Sequence, residues 1–355
     1  MNIYVLNSSL EIVNVIDEYE SVIWTTRYFT YGDFELYLSA DTDLLEILQV
    51  DNYLVREQDI TENTYKNVMI IRNLEITTDA EEGDHLRVTG YWLKSILNRR
   101  IIPNQTNLSG SVASCLQTLI NQNIINPSVS ARQISNFILG TNSLINSYTM
   151  KQQITGKNLG ESITNICTAY GYGYEVYIKG NNFIFSIYEG ADRSYDQTEN
   201  PYVVFSSEFG NLLSSDYQIN NDNYANVATV AGEGEGTARK KVTVGTASGL
   251  DRYEVWIDAR NASTNNGEIT DQEYMAMLEE DGIEQLSEMV QTTAFSGNIE
   301  GSTTYVINQD YFLGDIVQVE NDYGIQAKTR IIEIIDSEDE NGNQIIPTFS
   351  EMEVQ

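Results

Sequence analysis

A single histidine, two cysteines and four prolines in 355 residues leave this chain short of catalytic vocabulary. His85 lies in "EEGDHLRV", an acidic connection where it reads as a solvated turn residue, and neither H-E-x-x-H nor G-x-S-x-G surrounds any candidate. Every histidine-based metal cluster or Ser-His-Asp triad would have to be built on that one ring. Cys115 and Cys167 each fall in an amphipathic helical pattern and read as buried free thiols, too few for a disulfide framework or a metal site. No catalytic, cofactor-binding or metal-ligating residue is assigned, and no cofactor is expected.

Cations are scarce too: Lys and Arg number 20 against 52 Asp and Glu, a formal charge of −32. With no basic stripe to neutralise a phosphate backbone, specific nucleic-acid binding is disfavoured, and an anionic membrane surface would repel the chain. No run approaches the ~20 apolar residues of a membrane span. The opening "MNIYVLNSSLEIVNVID" lacks a basic n-region and alternates like a strand, so neither a signal peptide nor membrane insertion is expected.

Three motif near-misses remove further chemistry. "VAGEGEGTARKK" follows a strand as a dinucleotide fingerprint would. However, Thr237 replaces the last glycine, Glu233 and Glu235 would repel a pyrophosphate, and a β-prone segment follows; a flexible loop fits better. "TGKNLG" lacks the upstream glycine of a phosphate loop and has Asn158 where Ser or Thr would hold magnesium. "DSEDENGNQ" does not have the spacing of a calcium loop and reads as a solvated hairpin tip. Among 52 acids, two carboxylates brought together by folding would leave no fixed spacing. A peptidoglycan hydrolase is therefore the principal enzymatic alternative, and a host carbohydrate-binding module the other.

What the chain has in abundance is β pattern. It is 41% hydrophobic and 10% aromatic with 23 tyrosines, a residue suited to half-buried sheet faces, and its length exceeds what one core usually organises. Residues 1–98 read as seven or eight strands; in "GDFELYLSA", Phe34, Leu36 and Leu38 take one face and Glu35, Tyr37 and Ser39 the other. Residues 99–198 read as an α+β domain. Its first helix carries Val112, Cys115, Leu116, Leu119 and Ile120 on one face with Ser109 as cap. Its second carries Leu159, Ile163, Ile166, Cys167 and Tyr170 and stops at Gly171 and Gly173. A hairpin turning through Asn181 and Asn182 follows. Strands return at 199–237 and 297–355. Between them, 238–296 reads as an insertion with one helix, Thr270 to Met289, opened by a Thr270/Glu273 capping box.

The two ends echo each other. QVDNY at 49–53 and QVENDY at 318–323 each precede a strand beginning at Arg72 or Arg330. Leu74-Glu75-Ile76 and Ile332-Glu333-Ile334 then follow at the same spacing. Each strand enters an acidic connection containing Gly83 or Gly342 and returns as an apolar strand. This order suggests two related β-domains in one chain.

With "SVIWTTRYFTYGDFELYLSA", "VTGYWLKSILNRRII", "GKNLGESITNICTAYGYGYEVYI", "YEVWIDAR" and "LGDIVQVEN", the chain resembles the hub proteins of bacteriophage tails and related contractile injection systems. The likeness is to the tail-associated hub group of siphophage-like tail tips. The resemblance implies a mainly β fold with α+β insertions, two related β-barrel domains and two smaller mixed domains. It also implies a non-enzymatic virion protein. Three copies would form a ring on the sixfold tail tube or distal tail ring, adapt it to a threefold tip and enclose the DNA channel. A tip spike, fibre or tape-measure protein would be a further partner. On this resemblance the candidate ring strands are those bearing Phe34, Leu36, Leu38, Val50, Tyr53, Val317, Val319 and Tyr323.

Overall fold

The computed structural model describes residues 1–80, 83–212, 214–264, 269–298 and 304–350, with backbone alone for 293–298. The fold is mainly β, and the chain forms two compact units, one from Met1–Ser215 with Ser296–Ser350 and the other from Asp216–Phe295.

The larger unit begins with β1 (Ile3–Leu6), β2 (Ile12–Ile16), β3 (Ser21–Arg27) and β4 (Asp33–Ser39). A short helix α1 (Thr42–Ile47), capped by the Asp41 side chain, precedes β5 (Tyr53–Arg56). Two-residue strands β6 (Ile60–Thr61) and β7 (Thr64–Tyr65) follow, then the long hairpin β8 (Met69–Asp79) and β9 (Gly83–Trp92). Alternation in β4 works as its pattern predicts: Phe34, Leu36 and Leu38 are buried while their neighbours face outward.

Next come β10 (Thr106–Ser111), α2 (Val112–Ile120), β11 (Phe137–Leu139), β12 (Thr149–Ile154), α3 (Leu159–Tyr170), β13 (Gly173–Lys179) and β14 (Asn182–Tyr188). The apolar stripe of α2 is buried at all five positions named from its periodicity. Its cap is Ser111 rather than Ser109, because 106–111 is a strand and Ser109 lies inside it. Asn158 caps α3, and Gly171 ends it in the left-handed region at φ 70°. The β13–β14 turn is Gly180-Asn181, with Asn182 already paired to Lys179. Strands β7 and β6 extend the β11-β14-β13 sheet, and one hydrophobic core runs from Ile3 through Ile187. Residues 1–98 and 99–198 therefore share an interior.

The same unit receives β15 (Val204–Ser206) and, from the far end of the chain, β21 (Ile316–Glu320), β22 (Gln326–Asp339) and β23 (Gly342–Phe349). Strand β22 pairs antiparallel with β3, joining the two chain ends in one sheet of order β15-β21-β22-β3-β4-β9-β8-β5-β1-β2, with β23 also on β22. Among the described residues no backbone pairing closes this path. Side chains bridge it instead. Arg56 on β5 and Asp336 on β22 lie five steps apart along the order, yet Nη1 of Arg56 donates to Asp336 at 2.6 Å. The sheet must therefore curl. Arg56 also donates to Asp59 at 2.6 Å and lies over the Trp24 ring at 5.2 Å, and all three ionic side chains are at least nine-tenths buried. Asn343 and Asn67 complete the carboxylates' hydrogen bonds. Asp336 was expected at a solvated tip; it is a buried strand residue, because the strand extends three residues beyond it.

In the smaller unit, β17 (Val227–Ala231) pairs antiparallel with β18 (Lys241–Val244) and parallel with β19 (Glu254–Asp258). Helix α4 (Asp271–Ser287) covers one face, its capping box formed by Thr270 and Glu273. Gly282 lets α4 approach: an added Cβ would meet Val230 and Val244 side chains at 2.6 and 2.8 Å. β16 (Ser214–Asn220) and β20 (Thr292–Asn298) pair with each other at the ends of this segment. The unit thus starts before the expected 238, since β17 cannot be separated from the strands on both its sides. The glycine-rich 232–236 is an ordered β17–β18 connection rather than a loose loop: Gly232 N donates to Lys240 O and Lys240 N to Glu233 O.

Candidate docking faces

The residues named for ring strands divide sharply by exposure. Phe34, Leu36, Leu38, Tyr53, Val317 and Val319 are all buried within the chain itself. Strand periodicity marks the apolar face, and that face is the one the fold consumes. Val50 at 50% and Tyr323 at 90% exposure are the two left on the surface.

The outward face of β3, β4, β9 and β8 carries a charge ladder. Arg87 lies between Glu35 at 2.6 Å and Glu75 at 3.4 Å, and Arg27 bridges Asp33 and Glu333. Beside it a shallow depression of about 310 Å³ is lined by Ile23, Glu35, Arg87, Thr89 and Tyr91. Tyr31 and Tyr91 meet edge to face at 5.4 Å along this surface. Exposed pairs of this kind are screened by solvent and add little to the stability of the sheet. His85 is part of this face. It is a β9 residue stacked on Tyr37 at 5.0 Å with Nδ1 2.9 Å from Glu20, not a solvated turn residue, because β9 begins two residues earlier at Gly83.

Strand β2 supplies a different surface. It ends the sheet order, and its Ile12, Val13 and Val15 are 46%, 46% and 38% exposed. An apolar edge strand with no lysine or proline is a template for pairing with another chain.

One buried group was not anticipated. Lys94 is 1% exposed, and its Nζ donates to the carbonyls of Arg27, Tyr28 and Tyr174 at 2.7, 3.1 and 3.1 Å. It lies over the Trp92 and Tyr174 rings at 4.3 and 4.5 Å. Burial pulls its pKa down to about 7, and burial also pushes the adjacent Cys167 thiol up to about 12. The visible signal was a lysine inside the apolar run "YWLKSIL". The group ties β3 to β13 through carbonyls. Among the described residues no group of three or more His, Cys, Asp or Glu side chains is placed to hold a metal ion, and no helix is long and apolar enough to cross a membrane.

A sheet that unites both chain ends thus carries an outward charge ladder and an exposed apolar edge strand. Residues 2–349 match the family described as Siphovirus ReqiPepy6 Gp37-like protein, and the chain belongs to that family of siphovirus tail proteins. No curated protein matches it in sequence. Among solved structures it is similar to the tail protein from Neisseria meningitidis MC58, at 13% identity and TM-score 0.61 over 99% of this chain and 96% of that one. The 43 kDa tail protein of prophage MuSo2 from Shewanella oneidensis is similar at 12% identity and TM-score 0.61, over 98% of each chain. Prophage tail protein gp18 from Listeria monocytogenes EGD-e is similar at 10% identity and TM-score 0.56, over 98% of this chain and 94% of that one. At such identities the likeness is one of fold.

Proposed function

We propose that the chain is a non-enzymatic hub at the distal end of a siphophage-like tail. Three copies close into a ring that seats on the sixfold tail tube or distal tail ring, presents a threefold tip and encloses the DNA channel. The observation that carries this reading is the family match across almost the whole chain. Two features support it. The β8–β9 and β22–β23 hairpins share an interruption near their base and a glycine opening the return strand, as related β-modules would. Three chains would then offer six such modules to a sixfold partner.

In this reading 1–98 forms the first β-barrel module and β15 with β21–β23 the second; 99–198 is one smaller mixed domain, and the other holds β17 together with β18, β19 and α4 and so begins before 238. The exposed β2 edge, Val50 and Tyr323 are contact candidates, and a spike, fibre or tape-measure protein occupies the ring's axis. The acidic excess keeps DNA from adhering to the channel. The test is reconstitution with the tail's own distal ring protein. The expected product has three copies of this chain per six-membered ring; failure to bind any tail component, together with lysis of purified peptidoglycan by the isolated protein, overturns the reading.

A further inference from the structure

Charge is segregated along this chain. Residues 85–160 hold seven cations and no Asp or Glu, so all 52 acids and only 13 of the 20 cations fall elsewhere. The net figure of −32 conceals a stretch of opposite sign.

Folding concentrates part of that stretch. Nε of Arg100 donates to the carbonyl of Arg132 at 3.0 Å, while Nη2 of Arg132 donates to the carbonyl of Ile101 at 2.6 Å and to Asn123 Oδ1 at 3.3 Å. Each arginine thus grips the other's backbone neighbourhood. Asp51 engages Arg99 next door, but among the described residues no carboxylate forms an ion pair with Arg100 or Arg132. Lys157 is exposed on the segment bridged to Arg100–Ile102: Ile102 N donates to Lys157 O and Leu159 N to Arg100 O. Ile101 and Val129, 54% and 56% exposed, add apolar surface. Burial, Arg132 and Arg99 together hold the Arg100 pKa below its ordinary value, so like charges have been collected against their mutual repulsion.

We propose that the Arg100–Arg132–Lys157 face is the docking surface for the acidic surface of a second copy of this chain. Complementarity selects the occupant. Two copies repel acidic surface to acidic surface and attract basic face to acidic surface, which favours a head-to-tail contact and disfavours a symmetric one. A nucleic acid fits less well, because the other 279 residues would repel its phosphates. The inference rests on the ring reading for the number of copies only.

The experiment compares wild type with R100E/R132E and with K157E, whose exposed site leaves folding intact; thermal unfolding checks that each variant is folded. Native mass is read at low salt and at about 0.5 M salt, where surface charges are screened. A 1:1 mixture of ¹⁴N and ¹⁵N protein is treated with a carbodiimide to join lysines to contacting carboxylates. Expected are mixed-isotope links from Lys157 and an apparent dissociation constant at least about a hundredfold weaker in R100E/R132E, weaker to a lesser degree in K157E, and weakened by salt. Assembly unchanged in both variants overturns the docking surface and leaves the ring standing. A two-copy particle dissolved by the variants keeps the docking surface and removes the ring. Wild type that is monomeric throughout overturns the proposal, and if it also binds a DNA duplex and loses that binding in R100E/R132E, the face serves phosphate instead.

Discussion

Lys94 shows how a single side chain can couple two parts of the larger unit. Its folded-state pKa of about 7 lies below the ordinary 10.5, so the unfolded chain binds the extra proton between those values. Stability contributed by this site is therefore lowest below pH 7 and rises as pH climbs through the window. Replacement by methionine removes the titration and strands three carbonyls. The gap between wild type and Lys94→Met should widen by about 1 kcal/mol per pH unit between pH 7.5 and 9.5, read from urea unfolding midpoints; parallel curves would mean the amine titrates as if exposed. Cys167 offers a second check. With its pKa near 12 and both thiols buried, Cys115 and Cys167 should resist a thiol reagent at pH 8 in the folded protein and react at once in denaturant.

At the scale of elements, the curled sheet depends on Arg56. Removing one partner of a buried ion pair leaves the other charge uncompensated, at a cost of about 3–5 kcal/mol. Arg56→Met should therefore destabilise by that amount in equilibrium unfolding, and a loss below about 1 kcal/mol would show the bridge to be incidental. The two long hairpins turn on glycine. Gly342 sits at φ 114° with open space around its Cα, so Gly342→Ala should cost about 1 kcal/mol through backbone strain alone; an unchanged melting temperature would remove the argument.

The elements were legible wherever one face is apolar. The stripes of α2 and α3 and the alternation of β4 could be named residue by residue because burial follows period. The echo held in its hairpins and failed in its first half: Gln49–Asn52 precede β5 as a turn, with Asn52 capping the Ile47 carbonyl, whereas Gln318–Glu320 lie inside β21. Long-range closure was not legible. Nothing local in "YLVREQ" announces that Arg56 meets Asp336, 280 residues away. The ring strands stay a proposal for a related reason, since apolar alternation identifies what a strand buries and is silent on which surface it leaves for a partner.

For the whole molecule, the chain belongs to a siphovirus tail family, shares its fold end to end with a tail protein, and carries its charge unevenly, with seven cations and no Asp or Glu between residues 85 and 160. A strongly acidic chain resists indiscriminate association, so a contact that overcomes this must be specific and salt-sensitive. The central claim is that copies of this chain close on themselves in a fixed number. Native mass across a concentration series tests it most directly. The account predicts a particle of three 40.0 kDa chains that persists on dilution; a monomer at every concentration, even with the distal ring protein present, or a ladder of growing oligomers would contradict it.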